Sequence, residues 1–246
     1  MSERSRDVLR SEFARAAATF AERTKGRFDE LGVVEFADVE PGGTVAEVGA
    51  GTGNFLQLFG GTAAFSIAID LTPAMLAEAR SRFPDMGLLV ADGIALPLKS
   101  RSVDLVACAQ MLHHVSEPLP LLKEMRRIAR GRVLVVDQVA TENYEQTRFM
   151  NELEIARDPS HAVSRSPSAF RVLLRAAGLE IVKEKLSEST QRMSTWMAPG
   201  EFPPERFAAV EGFIERFGPE TGMDFRREGD EWAFTRRRAM FLCERG

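Results

Sequence analysis

Val45-Ala46-Glu47-Val48-Gly49-Ala50-Gly51-Thr52-Gly53 takes an apolar run into an acidic residue and then into three glycines spaced two apart. Glycine has no Cβ and tolerates positive φ, so such a loop brings bare backbone against a ligand. The spacing excludes two familiar nucleotide loops. A dinucleotide fingerprint needs Gly-x-Gly-x-x-Gly, and with Gly49 and Gly51 as its first two members the third falls on Asn54. A Walker loop needs a Gly-Lys-Ser/Thr ending, and no lysine follows these glycines.

Outward from this loop, short apolar runs alternate with helical patterns. Thr44–Val48, 64–69, 87–91, Val103–Ala109 and 132–137 read as buried parallel strands, being short, apolar and rich in β-branched residues. Thr72-Pro73 places an N-cap and an N1 proline ahead of Met75, Leu76, Ala79 and Phe83. Pro118 opens a second helix, with Leu122, Met125 and Ile128 on one face and Gly131 as its stop. Ser166-Pro167 opens a third, running to Gly178. Later, 179–186 and 232–243 resume strand patterns, which makes seven. Strands alternating with helices predict an α/β fold, a doubly wound and mostly parallel seven-stranded sheet.

The remaining segments read as additions to that core. Residues 1–38 are amphipathic and helical, with Val8, Leu9, Phe13, Ala16, Ala17 and Phe20 recurring at threes and fours. Residues 138–165 are rich in polar and charged side chains. Residues 187–230 carry Trp196-Met197, a Pro203-Pro204 break and an apolar stripe from Phe207 to Phe217. The expectation is one domain, 1–246, with a ligand-binding core at 44–137 covered by the N-terminal helices and the two insertions.

Three acidic residues fall where a doubly wound sheet binds its ligands, outside the carboxyl ends of its strands. Glu47 ends the first strand, Asp70 the second, and Asp92 follows the third. A carboxylate at Asp70 can accept both hydroxyls of an adenosine ribose, and Asp92 can accept from an adenine amino group. Singly, each is as well explained as a turn former or N-cap. At successive strand ends, beside a triple-glycine loop, they read as one site.

Taken together, Glu47–Gly53, Asp70 with Met75, Ala91-Asp92-Gly93 with Leu96-Pro97, Val103-Asp104-Leu105-Val106 and Leu112-His113-His114-Val115 resemble the class I S-adenosyl-L-methionine (SAM)-dependent methyltransferases. Within them the chain is most similar to the group that includes the ubiquinone/menaquinone C-methyltransferases. The similarity covers about residues 10–186. It implies a Rossmann-like SAM methyltransferase fold with SAM as cofactor. Glu47 would sit under the methionine end, and Gly49, Ala50, Gly51 and Gly53 would wrap the carboxypropyl chain. Asp70 would hold the ribose, Leu71 and Met75 would flank the adenine, Asp92-Gly93 would meet its edge, and Ala109 would face the sulfonium. The chain departs from the family in having Ala129-Arg130-Gly131-Arg132 where a Pro-Gly-Gly-type turn usually precedes the fifth strand.

On the acceptor side, methyl transfer is an in-line attack that positioning alone can largely promote. A base is needed only where the nucleophile must lose a proton. His113 and His114 follow the fourth strand, next to the expected methyl position, and His161 lies in the Asp158-Pro159-Ser160-His161 turn. These three are the candidate catalytic residues; packing or a solvated turn would also account for them. Phe13, Phe20, Trp196 and Met197 can line an apolar pocket. The abundance of Phe over Tyr (17 against 1) favours an apolar or aromatic small-molecule acceptor, methylated on O, N or C.

Bulk properties narrow the alternatives. The formal net charge of -4 and the lack of a basic stripe or an Asn/Asp-Pro-Pro-Tyr-type motif argue against nucleic acid. No long apolar run or leader-like N-terminus predicts a membrane span or signal peptide. Cys108 and Cys243 have no Cys-x-x-Cys partners, which fits a reducing cytoplasm without disulfide or metal site. A monomer or homodimer is expected. The competing chemistry is a SAM-fold enzyme that uses the sulfonium only as a charge, for instance in a cyclisation.

Overall fold

The computed structural model describes residues 3–198 and 202–246. Helices α1 (Glu3–Arg23) and α2 (Val33–Ala37) precede β1 (Thr44–Val48). The core then alternates: β2 (Phe65–Asp70), α3 (Pro73–Arg82), β3 (Gly87–Val90), β4 (Val103–Ala109), α4 (Leu119–Ile128) and β5 (Ala129–Gln138). After it come α5 (Tyr144–Arg157), α6 (Pro167–Ala176), β6 (Leu179–Arg192), α7 (Met193–Met197), α8 (Pro204–Phe217), β7 (Arg226–Glu228) and β8 (Glu231–Arg245).

Seven strands lie in the order β3-β2-β1-β4-β5-β8-β6, and the short β7 adds an eighth by pairing with the start of β8. The first five strands are mutually parallel. β8 inserts antiparallel between β5 and β6. The expected seven-stranded, mostly parallel, doubly wound sheet is therefore present, with β7 as an unforeseen hairpin arm.

Strand residues alternate between two cores, as the period of two requires. On one face Ala46, Val106, Val133 and Phe241 pack with α4 and α6 through Leu122, Met125, Phe170 and Leu174. On the other, Val45, Leu105, Leu134 and Leu242 pack with Phe28, Leu56, Phe59 and Leu76. A third cluster joins α5, α7 and α8 to β8 through Leu153, Trp196, Met197, Val210, Ile214 and Phe234.

Several local expectations change. The Pro118 helix ends at Ile128 and the chain enters β5 at Ala129, so Gly131 is not its stop. Gly131 lies inside the strand, where a Cβ would stand 2.8 Å from the Asp104 carbonyl oxygen, so its missing side chain permits close strand approach. The Ala129–Arg132 stretch is likewise strand rather than turn. Thr72 occupies the N-cap position without a side-chain capping bond; Asp70 Oδ1 accepts the Thr72 N–H instead, at 2.8 Å. The polar 138–165 segment contains the 14-residue helix α5, capped by Asn143 Oδ1 accepting the Gln146 N–H. No described helix is long and apolar enough to cross a membrane.

Candidate active site

The carboxyl ends of the parallel strands open onto two adjoining cavities. The first, of about 140 Å³, is bounded by the glycine loop, the Asp70–Thr72 turn, Ala91–Gly93 and the start of the segment after β4. Every residue that the sequence assigns to the cofactor lines it except Gly53. Gly53 has φ +81 and faces Phe83, whose ring would stand 3.1 Å from a Cβ at that position, so it shapes the loop from behind. Gly49 and Gly51 also have positive φ, +75 and +53. A Cβ on Gly49 would reach Met111 Cγ at 2.5 Å, whereas one on Gly51 would meet nothing within 4 Å. Gly49 therefore answers a packing demand and Gly51 a conformational one.

The acids hold the loops as well as facing the cavity. Asp70 Oδ2 accepts the Gly51 N–H at 2.8 Å while Oδ1 takes Thr72, so this one carboxylate ties two strand-end loops together. Burial raises the Asp70 pKa above its ordinary value. Glu47 is 1% exposed, and its Oε2 has no hydrogen-bond partner. Burial, and then the Asp70 charge, push Glu47 well above the usual carboxylate range. A buried carboxylate with an orphaned oxygen fits a ligand that brings a positive charge or donors to it. Asp92 accepts the Ile94 N–H at 3.2 Å and pairs with Arg6 of α1 at 3.1 Å.

Asn54, whose sequence signal was only that it is not glycine, fastens α1 over this cavity. Its Nδ2 donates to the Ala21 carbonyl and to Thr24 Oγ1, both at 2.8 Å, and its Oδ1 accepts from Arg82 at 2.6 Å.

The second cavity, of about 270 Å³, lies between α1, the segment after β4, the α5 C-terminus and β8. It has room for a small molecule rather than a single water. Phe13, Phe20, Thr24, Arg27, Gln110 and His114 line both cavities and form their common wall. Phe13 and Phe20 do face this space together with Trp196, as expected, but Met197 does not line it and is fully buried in the third cluster.

His114 stands in the common wall with Phe13 edge-on at 5.2 Å. Its Nδ1 lies 3.0 Å from the Ser160 carbonyl oxygen and 3.1 Å from Ser160 Oγ. Ser160 Oγ–H already donates to Asp158 Oδ1 at 2.6 Å. Only acceptors therefore face Nδ1, which carries a proton, so in the neutral ring Nε2 is the nitrogen with the free lone pair. Asp158 is well placed for this. Although burial pushes it up, His114, Arg157 and two Ser160 hydrogen bonds bring it down to about 2.

His113 lies deeper, with Nδ1 2.6 Å from Asp137 Oδ1 and its N–H donating to Asp137 Oδ2 at 3.2 Å. Burial drives His113 well below its usual value and raises Asp137 to about 6. His161 lines neither cavity. It is 6% exposed behind His113, bonded through Nε2 to Asn151 Oδ1 at 2.9 Å, and burial lowers it to about 4. Its placement gives it no route to a bound molecule.

The arginines of the second cavity were not foreseen. Arg236 and Arg238 project from β8 on the same face, while Arg237 between them faces away and pairs with Glu188 and Asp224, each at 2.8 Å. The signal was the Arg236-Arg237-Arg238 run inside an apolar strand, read with the period of two.

Residues 46–136 match the methyltransferase domain family. The chain is 28% identical over 186 residues to an uncharacterized methyltransferase of Bacillus subtilis, covering 72% of this chain and 74% of that one. It is 30% identical over 142 residues to the demethylmenaquinone methyltransferase of Renibacterium salmoninarum, covering 56% of this chain and 60% of the relative. A solved methyltransferase-fold structure from Bacillus halodurans superposes with a TM-score of 0.80 at 22% identity, covering 88% and 98% of the two chains.

Proposed function

We propose that this chain, which belongs to the SAM-dependent methyltransferases, transfers a methyl group to an O, N or C nucleophile of a small metabolite held in the second cavity. The observation that carries this reading is the common wall: two cavities at the carboxyl ends of the strands meet at Gln110 and His114. A donor in the first and an acceptor in the second would face each other there. When bound, SAM supplies a methyl group already activated by its sulfonium. The chain's contribution is placement, because holding nucleophile and methyl in near-attack geometry supplies much of the rate.

In the first cavity, the orphaned Glu47 oxygen would receive donors from the methionine end. The positive-φ glycines would present backbone to it. Asp70, each of whose oxygens keeps a lone pair beyond the bond it makes to the loops, would accept from the ribose. Asp92 would meet the adenine edge. His114 Nε2 would take the acceptor's proton where one must leave, its tautomer set by Ser160. His113, held by Asp137, would brace it at a ring separation of 4.2 Å. The acceptor walls combine aromatic rings with cations, so a purely apolar acceptor suits only part of the surface.

The test is ligand-linked stability followed by product analysis. SAM should raise the melting temperature by mass action, and Asp70→Ala should abolish the rise. Stabilisation by NADH and not by SAM would overturn the assignment. Formation of S-adenosylhomocysteine with supplied acceptors separates methyl transfer from a cyclisation, which would leave SAM intact.

A further inference from the structure

The second cavity is lined by guanidiniums that make no close ion pair among the described residues, Glu30, Glu154 and Asp137 acting on Arg238, Arg236 and Arg27 only from farther away. Among the described residues, no carboxylate comes within 4.0 Å of Arg27, Arg236 or Arg238. Arg157, by contrast, is paired with Glu154 at 2.9 Å. Two further carboxylates line the space, Glu12 and Asp158, and Asp158 is already engaged by Ser160. Arg27, Arg236 and Arg238 give their hydrogen bonds to neutral oxygens. Arg236 Nη2 donates to Gln110 Oε1 at 2.8 Å and Gln138 Oε1 at 2.9 Å, Arg27 Nη2 to Gln110 Oε1 at 3.4 Å, and Arg238 Nη1 to Ser189 Oγ at 3.2 Å. Burial and their mutual repulsion lower Arg27 to about 10 and Arg236 well below its usual value. Buried charge of this kind is ordinarily paired, because leaving it uncompensated is costly.

Among the described residues that line this cavity, the buried atoms without a partner are all donors. Arg236 Nε, Arg238 Nε and Gln110 Nε2 are enclosed and make no hydrogen bond. The two arginine donors on Gln110 Oε1 fix the orientation of that amide and turn its Nε2 elsewhere. Gln110 also holds a left-handed backbone, φ +52, which a residue with a side chain adopts only where its surroundings enforce it. A set of orphaned donors beside cations without a close ion pair calls for a ligand that is rich in acceptors and negatively charged.

We propose that the methyl acceptor carries an anionic oxyacid group, a carboxylate or a phosphate, which docks on Arg27, Arg236 and Arg238 with Gln110 Nε2 as a further donor. This rests on the reading of the second cavity as the acceptor site. It adds what that reading lacks, a chemical class for the acceptor. The aromatic rings of Phe13, Phe20, Trp196 and Phe202 would flank the rest of the molecule, with the nucleophile directed to the common wall. Arg236 and Arg238 do not line the first cavity, so substituting them leaves SAM binding as an independent measurement.

The experiment is calorimetric titration of the full chain, saturated with S-adenosylhomocysteine, with benzoate, phenyl phosphate and the neutral benzamide. At least one anion should bind about tenfold or more tightly than benzamide, and whichever anion wins names the group. Arg236→Gln and Arg238→Gln should each weaken that anion by about tenfold or more, the usual loss for a charge-assisted hydrogen bond, while SAM affinity stays within about twofold of wild type. Arg238→Lys should restore part of the binding. Without ligand, both glutamine variants should melt at or above the wild-type temperature, since each removes a repelled cation. Benzamide binding as well as the anions, no anion binding, or variants that bind anions like wild type would overturn the proposal. So would variants that melt lower and lose SAM as well, which would make the arginines scaffold. If SAM itself failed to bind the wild type, the methyltransferase reading would fail instead, and the anion titration without S-adenosylhomocysteine would still report on the arginines.

Discussion

The first cavity is assembled from successive strand-to-loop junctions at residues 47–53, 70–75 and 91–93, and the second from segments scattered between residues 12 and 238. In the first, Glu47 and Asp70 lie at the ends of their strands and Gly49, Leu71 and Asp92 follow theirs by a residue or two, so these positions are set by local geometry, with the N-terminal helix closing over them. In the second, α1, the segment after β4, the end of α5 and the antiparallel β8 must all be docked before any wall exists. Their polarity differs too. The first presents backbone and carboxylates, the second guanidiniums and aromatic rings. A donor with a positive sulfonium and an anionic acceptor would each find the opposite charge in its own cavity.

The largest expected effect falls on the local cavity. Gly49→Ala combines a left-handed backbone, costing about 1–2 kcal/mol, with a Cβ at 2.5 Å from Met111 Cγ. The SAM-dependent rise in melting temperature should vanish. An unchanged rise would mean that Met111 moves freely and that the loop is less constrained than its geometry indicates.

At the shared wall, His114→Ala should lower kcat by roughly 10²–10⁴-fold where the acceptor loses a proton, as for other general bases, with SAM affinity nearly intact. Equal loss of SAM binding, measured by titration, would assign His114 to the cofactor side of the comparison.

Behind the second cavity, pH supplies a test of the scaffold. His161 has a folded pKa of about 4 against the ordinary 6.5. Between these values the unfolded chain binds a proton that the folded one does not, so this contribution to stability is complete above pH 6.5 and lost as pH falls toward 4. The loss is on the order of 3 kcal/mol. His161→Gln should flatten that part of the stability profile in denaturant titrations. Asp137, raised to about 6, acts in the opposite sense over part of the same range, because the folded state there holds the extra proton. The difference between variant and wild type isolates His161.

A smaller effect belongs to the junction. Asn54→Ala removes the hydrogen bonds to Ala21, Thr24 and Arg82 that fasten α1, and should destabilise by about 1–3 kcal/mol while speeding SAM release. Arg6→Ala breaks only a partly exposed pair with Asp92, so a change under about 1 kcal/mol is expected. If both left SAM release unchanged in stopped-flow measurements, α1 would not act as a cover.

The core strands and most of the first cavity's strand-end lining were legible because apolar runs leading into Glu47, Asp70 and Asp92 are local patterns. Helix α5 was not legible. Its buried face includes Glu154 and Arg157, which enter the interior only as a pair, and a polar stretch gives no apolar stripe to read. Gly131 misled for a related reason, since a glycine that admits a neighbouring strand looks in sequence like one that ends a helix. His161 stood among the candidates with His114 because its own 158–161 turn says nothing about which way the ring faces.

The sequence by itself determined the parallel core, the glycine loop and the acids beside it, since period-two burial and strand-end chemistry are encoded within a few residues of each other. Tertiary structure alone decided the tautomer of His114, the seclusion of His161 and the gathering of Arg27, Arg236 and Arg238 around Gln110. Those depend on contacts between segments far apart in the chain, where burial and mutual charge, not local pattern, set what each side chain can do.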